Sequence, residues 1–252
     1  MIISFFEEFP TKEHLDKVNL IRWPTKIYLA AKSVKEFQKI KALVKNKYIK
    51  EWIYWPVLEK KEGYWISPFC NKNALKRMID GIENHKRKNI PVMLDLELPT
   101  RHNPLLYLTQ FFNFSRNKMM IRDFIEEYKG DVYLAEYYPE GKFQEKILKA
   151  LGLHYSKAKV IKMVYHSLHH FNQQFITEEL RQGERELGRN FLAAFGVIYP
   201  GIAGREPLLD VQQLGKDLQI AKQAGIREVV IYRLSGLNKE YAKILKKYAT
   251  SR

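Results

Sequence analysis

Two carboxylates lie two residues apart near the end of a short apolar run between Pro91 and Thr100. The run is bounded by prolines, and an apolar run this short between turn-forming residues is typical of a buried strand. Side chains alternate along a strand, so the sequence predicts that Asp95 and Glu97 point to the same face. A neighbouring carboxylate and an apolar setting both raise the pKa of a carboxylic acid, as a proton donor near neutral pH requires. This segment is therefore the predicted centre of any chemistry.

Eight apolar, strand-like runs recur along the 252 residues, and a helix-like stretch follows each of them. They lie at residues 2–6, 26–31, 51–57, 91–100, 131–138, 159–165, 191–199 and 228–234. Strands that alternate with helices form parallel βαβ units. Eight such units in a chain of this length match a (β/α)8 barrel in number and size. The sequence therefore predicts an α/β protein with one TIM-barrel domain over residues 1–252.

A doubly wound open sheet is the alternative architecture. Such sheets usually have fewer strands and often carry a glycine-rich turn after the first one. Here the first run is followed by Glu-Glu-Phe-Pro at residues 7–10. No linker rich in Pro, Gly or Ser divides the chain, which favours the single barrel.

The active sites of TIM barrels lie at the C-terminal ends of the strands, and those ends are rich in carboxylates and aromatic side chains here. We expect Glu136 to join Asp95 and Glu97 in catalysis, and Glu136 or Glu7 to act as nucleophile or base if it lies across the barrel mouth. The predicted substrate-binding residues are Glu7, Trp55, Tyr138, His166, Tyr199, Tyr232 and Arg233. Carboxylates supply acid, base or nucleophile, and aromatic rings stack on sugars, so this combination indicates carbohydrate chemistry.

Some of these residues also have a purely structural interpretation. Glu7 and the adjacent Glu8 are equally explained as solvated charges at a strand end, and Trp55 as a cap on the barrel core. Arg233 is either a counter-ion of Glu97 or Glu136, or a ligand for an anionic group of the substrate.

Two segments resemble motifs of the chitinase-type glycoside hydrolases of family 18. Residues 93–97 read Met-Leu-Asp-Leu-Glu on the fourth run, where that family has Asp-x-Asp-x-Glu. Residues 163–166 read Met-Val-Tyr-His on the sixth run, where that family has Met-x-Tyr-Asp. The resemblance implies that Glu97 is the general acid, that Asp95 orients an N-acetyl group of the substrate, and that Tyr165 supports the reaction intermediate.

The chain departs from this pattern at three positions. Met93 and His166 replace aspartates, and Tyr232 stands where the family usually has a tryptophan. The match is therefore a partial similarity to TIM-barrel glycosidases as a broad class.

The chain is strongly basic, with 43 Lys and Arg against 28 Asp and Glu and a net charge of +15. This charge allows attraction to nucleic acid, anionic lipid or acidic polymers. The lysines are spread over nearly every predicted helix, as on a solvated surface, and a Lys- and Glu-rich surface is also typical of thermophile proteins. Nucleic acid is not the favoured partner, because the sequence has no zinc-finger spacing, RNP-like segment or glycine-rich phosphate loop.

The remaining expectations concern compartment and cofactors. Cys70 is the single cysteine, and the sequence shows no signal peptide and no apolar run long enough to span a membrane, so we expect a cytoplasmic protein. We expect a carbohydrate substrate, no cofactor and no bound metal. Oligomeric state cannot be inferred from the sequence.

Two other functions remain open. One is a metal-dependent barrel hydrolase of phosphoesters or nucleic acid, suggested by the charge, the carboxylates and the histidines. The other is a non-catalytic barrel that binds a glycan or a protein.

Overall fold

The structure is a computed structural model that describes residues 1–85, 89–97, 105–136, 157–169, 171–202 and 204–250. Eight parallel strands with interleaved helices close into a barrel in the order β1 to β8, which confirms the predicted (β/α)8 fold. The strands are β1 Ile2–Glu7, β2 Thr25–Ala31, β3 Ile49–Pro56, β4 Val92–Asp95, β5 Val132–Glu136, β6 Lys159–Met163, β7 Phe191–Gly196 and β8 Glu228–Tyr232. Each of the eight apolar runs of the sequence therefore contains a strand.

Helices follow the strands in the described part of the chain. They are α1 Lys12–Asp16, α2 Val34–Leu43, α3 Lys72–Glu83, α4 Leu105–Thr109, α5 Phe114–Glu127, α6 His166–His169, α7 Gln173–Leu187, α8 Val211–Gln223 and α9 Lys239–Tyr248. Side-chain caps fix several helix starts: Asn71 begins α3, Asp210 begins α8 and Asn238 begins α9, each accepting hydrogen bonds from two backbone N–H groups. The helix-like stretch that follows the fifth apolar run, at residues 143–151, lies outside the described residues.

The chain divides into two compact units. The first contains Met1–Ala30, Gln38–Ile53 and Val160–Arg252, and the second contains Ala31–Phe37 and Tyr54–Lys159. The assignment of one domain to residues 1–252 stays a prediction.

A polar network lies on the inward faces of β1, β2 and β8 in the first unit. Glu228 is buried at the start of β8, and its Oε1 accepts hydrogen bonds from Ser4 Oγ at 2.7 Å and Tyr28 Oη at 2.9 Å. Its Oε2 lies 2.9 Å from Lys26 Nζ, which also lies 3.3 Å from Glu51. The buried carboxylate is thus satisfied by a cation and two hydroxyls, as a buried charge requires.

We expect Glu228→Gln to lower the free energy of unfolding by about 1–2 kcal/mol, because the charge-assisted contact to Lys26 is lost while the hydroxyl donors keep an acceptor. Urea denaturation would measure the change. Glu127→Gln, at an exposed position on α5, is the matched control and should change it by less than about 0.5 kcal/mol. Equal effects of the two substitutions would contradict the assigned role of the network.

Candidate active site

The end of β4 holds the predicted catalytic pair. The strand ends at Asp95, earlier than the sequence indicated, and Leu96 N continues the pairing with a 3.2 Å hydrogen bond to Ala135 O. Asp95 is 4% exposed, and Glu97 is half-buried two residues beyond the strand end. Glu97 therefore lies in the segment that leaves the strand. The alternation of side chains, which predicted that Asp95 and Glu97 share a face, holds only within the strand.

The face on which Asp95 lies follows from the strand register. Tyr54 on β3 packs its ring 5.3 Å from that of Phe37 on α2, so Tyr54 points outward to the helix layer. Val92 is the register partner of Tyr54 and shares that outward face. Met93 and Asp95 consequently point into the barrel, where TIM-barrel enzymes place catalytic side chains at the C-terminal strand ends.

The register turns Glu136 the other way. Asp95 pairs with Ala135 across β4 and β5, so Ala135 shares the inward face with Asp95. Glu136 is one residue further along β5 and therefore lies on the opposite face. The predicted pocket that joins Glu136 to Asp95 does not follow from this geometry.

An aromatic loop between β3 and α3 lies against the end of β4. Ile66 N donates a 2.9 Å hydrogen bond to Asp95 O, which ties the loop to the strand end. Trp65, the preceding residue, is half-buried and makes an edge contact with the ring of Tyr64 at 5.6 Å. The partly exposed side chain of Trp65 thus belongs to the residue next to Ile66, whose backbone contacts Asp95. The sequence places Trp65 in a loop after β3 but gives no reason to assign it to a site.

Cys70 holds this loop in shape. Its thiol donates to Trp65 O at 2.8 Å and accepts from Ser67 N at 3.1 Å. Asn117 on α5 adds two hydrogen bonds, from its Nδ2 to Pro68 O at 2.9 Å and to Cys70 O at 2.8 Å. The loop is therefore fixed before any ligand binds.

Burial raises the pKa of the Cys70 thiol to about 11, which leaves almost no thiolate at pH 8. We expect a disulfide reagent to react with the native protein at least about 100-fold more slowly than with the protein unfolded in guanidinium. Absorbance of the released thiol dye would measure both rates. Equal rates would show that Cys70 is accessible and that the loop opens readily.

Glu7, at the end of β1 in the first unit, is fully buried and pairs with Arg233. Arg233 Nη1 lies 2.8 Å from Glu7 Oε1, and the same oxygen accepts from Phe9 N at 3.0 Å. The other oxygen accepts from Ser235 N at 3.0 Å and Ser235 Oγ at 2.5 Å. Glu7 is thus neither a solvated strand-end charge nor an open ligand for substrate, and the counter-ion of Arg233 is Glu7.

The rest of the Arg233 side chain is equally engaged. Its Nε and Nη2 donate to Pro200 O at 3.1 and 2.9 Å. Its guanidinium lies 4.8 Å from the ring centre of Phe9 and 4.9 Å from that of Tyr199. Tyr199 therefore stacks on the arginine, a cation–π contact that further fixes Arg233 in place.

A second group of strand-end residues surrounds the hydroxyl of Tyr232. This hydroxyl donates to Glu8 Oε2, and burial followed by the charge of Glu8 raises the pKa of Tyr232 well above its usual value. The ring centres of Tyr165 and Tyr232 lie 5.6 Å apart. A Cβ added at Gly201 would overlap the Tyr232 hydroxyl and lie 3.1 Å from Glu206 Oε1. Tyr232 therefore stays a proton donor to Glu8.

His166, at the start of α6, is anchored by α8. Its Nδ1 lies 3.4 Å from Oδ1 of the fully buried Asp217 and 3.2 Å from Gln213 Nε2. Gln213 Nε2 also donates to Asp217 Oδ1 at 2.8 Å. Burial raises the pKa of Asp217, against the opposing influence of Gln213 and His166. The orientation of His166 is thus set by side chains about fifty residues further along the chain.

The two remaining predicted substrate-binding residues are Trp55 and Tyr138. Trp55 is 3% exposed, so its ring is covered by the barrel core and offers a sugar no open face. Tyr138 lies outside the described residues.

The chemistry of a metal hydrolase requires clustered ligands. Among residues 1–85, 89–97 and the later described segments, no three His, Cys, Asp or Glu side chains are grouped to hold a metal ion. In the same described part of the chain, no helix has the length and apolar character needed to cross a bilayer.

The closed eight-stranded barrel defines the (β/α)8 class, and comparisons with solved structures agree. No family model and no curated protein sequence matches the chain. The glycoside hydrolase domain of PgaB (BpsB) from Bordetella bronchiseptica has a TM-score of 0.56 at 10% identity, over 100% of this chain and 99% of that one.

Two further solved structures share the fold. A xylose isomerase domain protein from Planctomyces limnophilus has a TM-score of 0.54 at 11% identity, over 98% of this chain and 94% of that one. The spore cortex-lytic enzyme SleL from Bacillus megaterium QM B1551 has a TM-score of 0.52 at 10% identity, over 100% of this chain and 74% of that one. At these identities the likeness shows the fold alone.

Proposed function

We propose that the protein is a glycoside-hydrolase-like barrel that acts on an oligosaccharide or glycan. The observation that carries the proposal is the end of β4, where the inward-facing Asp95 and the nearby Glu97 lie beside a fixed aromatic loop. The names of two solved structures with this fold, a glycoside hydrolase domain and a spore cortex-lytic enzyme, support the same class.

Glu97 is the proposed general acid. Its side chain is half-buried, so a protonated carboxyl can reach a leaving-group oxygen that enters from solvent. Protonation of that oxygen lets the glycosidic bond break towards an oxocarbenium-like transition state. A chain that uses only one proton donor still needs a nucleophile or an activated water for the other half of the reaction.

That second function belongs, on this proposal, to the substrate. By resemblance to family 18, Asp95 orients an N-acetyl group whose oxygen attacks the anomeric carbon, which is how substrate-assisted glycosidases work. This route requires no carboxylate nucleophile from the enzyme, and the outward position of Glu136 is consistent with it. The role of Tyr165 in supporting the reaction intermediate, and that of Tyr232 in binding substrate, stay predictions.

The test is hydrolysis of a panel of polysaccharides and aryl glycosides, half of them built from N-acetylhexosamines and half from the matched sugars without the acetyl group. New reducing ends or released aryl alcohol would be measured. We expect turnover confined to the N-acetylated half. Turnover of both halves alike would remove Asp95 from its proposed role, and binding without turnover would favour a non-catalytic glycan-binding barrel.

Trp65 is the proposed sugar platform. We expect Trp65→Ala to raise KM by about fivefold with a smaller effect on kcat, because stacking on a ring contributes on the order of 1 kcal/mol. Steady-state kinetics would separate the two constants, and Trp65→Phe should restore most of the affinity. A KM that does not change would place the sugar elsewhere.

A further inference from the structure

An exposed apolar patch lies on α4 and the turn that follows it. We define the patch as Leu105, Leu108, Phe111 and Phe112, whose exposed fractions are 65%, 74%, 66% and 90%. Together these side chains present on the order of 400 Å² of apolar surface, the size at which such patches on monomers are often functional. Isolated exposed leucines need no explanation, but four large side chains within eight residues do.

The patch is not the packing side of its helix. Leu106 is 4% exposed, and Tyr107 packs its ring 4.6 Å from that of Phe69 in the β3–α3 loop. Phe114 lies 5.0 Å from the same ring of Phe69. The segment therefore has apolar side chains on both sides, one buried in the protein and the other directed outward.

The cations that follow the patch directly in the sequence are Arg116 and Lys118. From residue 98 to residue 122 the sequence contains no aspartate or glutamate and four Lys and Arg, of which Arg122 pairs with Asp123 at 2.9 Å. Arg116 is exposed on the first turns of α5, just beyond the patch, and Lys118 is half-buried two residues later. Apolar side chains next to cations complement a partner whose outer layer is anionic and whose interior is apolar.

We propose that the patch docks the protein onto an anionic lipid membrane. Peripheral binding of this kind combines insertion of aromatic and aliphatic side chains at the acyl boundary with attraction of Lys and Arg to anionic headgroups. Phe112 has the highest exposed fraction of the four patch side chains, which suits it to insert into the membrane. The proposal goes beyond the proposed function and does not depend on it.

A second copy of the chain fits less well. Pairing of the patch with itself would place Arg116 of one copy near the cations of the other, in a protein whose net charge is already +15. An anionic membrane removes that repulsion, and its soft surface accommodates a convex projection without a matching pocket.

The test is co-sedimentation of the full chain with vesicles of phosphatidylcholine alone and of phosphatidylcholine mixed with phosphatidylserine. The bound fraction at each lipid concentration gives the affinity. We expect the affinity for the anionic vesicles to be at least about tenfold higher than for phosphatidylcholine alone, and to decrease as the salt concentration rises. The double variant Leu108→Ser/Phe112→Ser should lose at least about tenfold of this affinity. Arg116→Glu should lower it about fivefold or more, since a single cation near the surface contributes about a factor of five.

The matched control is Leu43→Ser, at a leucine on α2 that is 73% exposed and outside the patch, and it should bind as the wild type does. All these substitutions are at exposed positions, so thermal denaturation should show unchanged folding. Equal affinity for both vesicle types, or a double variant that binds like Leu43→Ser, would overturn the proposal. A dimer in light scattering that the double substitution dissociates would also overturn it, because a second copy would then cover the patch.

Discussion

Glu97→Gln is expected to lower kcat on the best glycan substrate by about 10²–10⁴-fold, the range that a positioned general acid contributes. The amide keeps the size and hydrogen-bonding reach of the side chain but cannot donate a proton to the leaving oxygen. KM should change by less than about threefold, because the proton transfer develops only in the transition state. Initial rates over a range of substrate concentrations would give both constants.

One control variant and one further substrate sharpen this test. Glu83→Gln, at an exposed carboxylate on α3, is the matched control and should keep full activity. An aryl glycoside whose leaving group needs no protonation should be much less sensitive to Glu97→Gln than a natural glycan is. Loss of the same size on both substrates, or no loss on either, would contradict the assignment of Glu97 as the acid.

Arg233→Leu is expected to lower the free energy of unfolding by about 3–5 kcal/mol, the usual consequence of removing one partner of a buried ion pair. Glu7 would keep its contacts to Phe9 and Ser235 but lose the cation at 2.8 Å that balances its buried charge. The cation–π contacts of Arg233 with Phe9 and Tyr199 would be lost as well. Urea denaturation followed by circular dichroism would measure the change.

The control for this variant is Arg227→Leu, at an exposed arginine just before β8, which should cost less than about 0.5 kcal/mol. The combination Glu7→Gln/Arg233→Leu should recover part of the loss, because no uncompensated charge is then left in the interior. A loss below about 1 kcal/mol for Arg233→Leu would show that the pair is solvated and not structural.

The barrel could be predicted from the sequence because its signal is local. Each strand is a short apolar run bounded by turn formers, and several helices begin at a capping residue, among them Asn71, Asp210 and Asn238. Counting these units gave the fold class. The general rule about strand ends placed the predicted chemistry at the end of β4, and the strand register in the structure then placed Asp95 on the inward face.

The pairing of side chains could not be predicted, because the partners are distant in the chain. Glu7 meets Arg233 across 226 positions, and His166 is held by Asp217 on a later helix. A shift of one residue in the register between β4 and β5 would move Glu136 to the other face, and the apolar run from 131 to 138 does not determine that register.

Burial and loop geometry account for the other differences. Trp55 and the half-buried Trp65 are both tryptophans near the end of β3, and only the packing of the loop shows which one keeps exposed surface. Gly201 follows β7 in a loop with no local pattern, and the packing of the Tyr232 hydroxyl against it, where a Cβ would overlap that hydroxyl, is visible only in the structure.

The most direct test of the central claim is a crystal structure of the Glu97→Gln protein soaked with an N-acetylated oligosaccharide from the active half of the panel. The account predicts a sugar at the end of β4, with its N-acetyl group within hydrogen-bonding distance of the Asp95 carboxylate and one ring stacked on Trp65. An oligosaccharide bound away from β4 and the β3–α3 loop would contradict it.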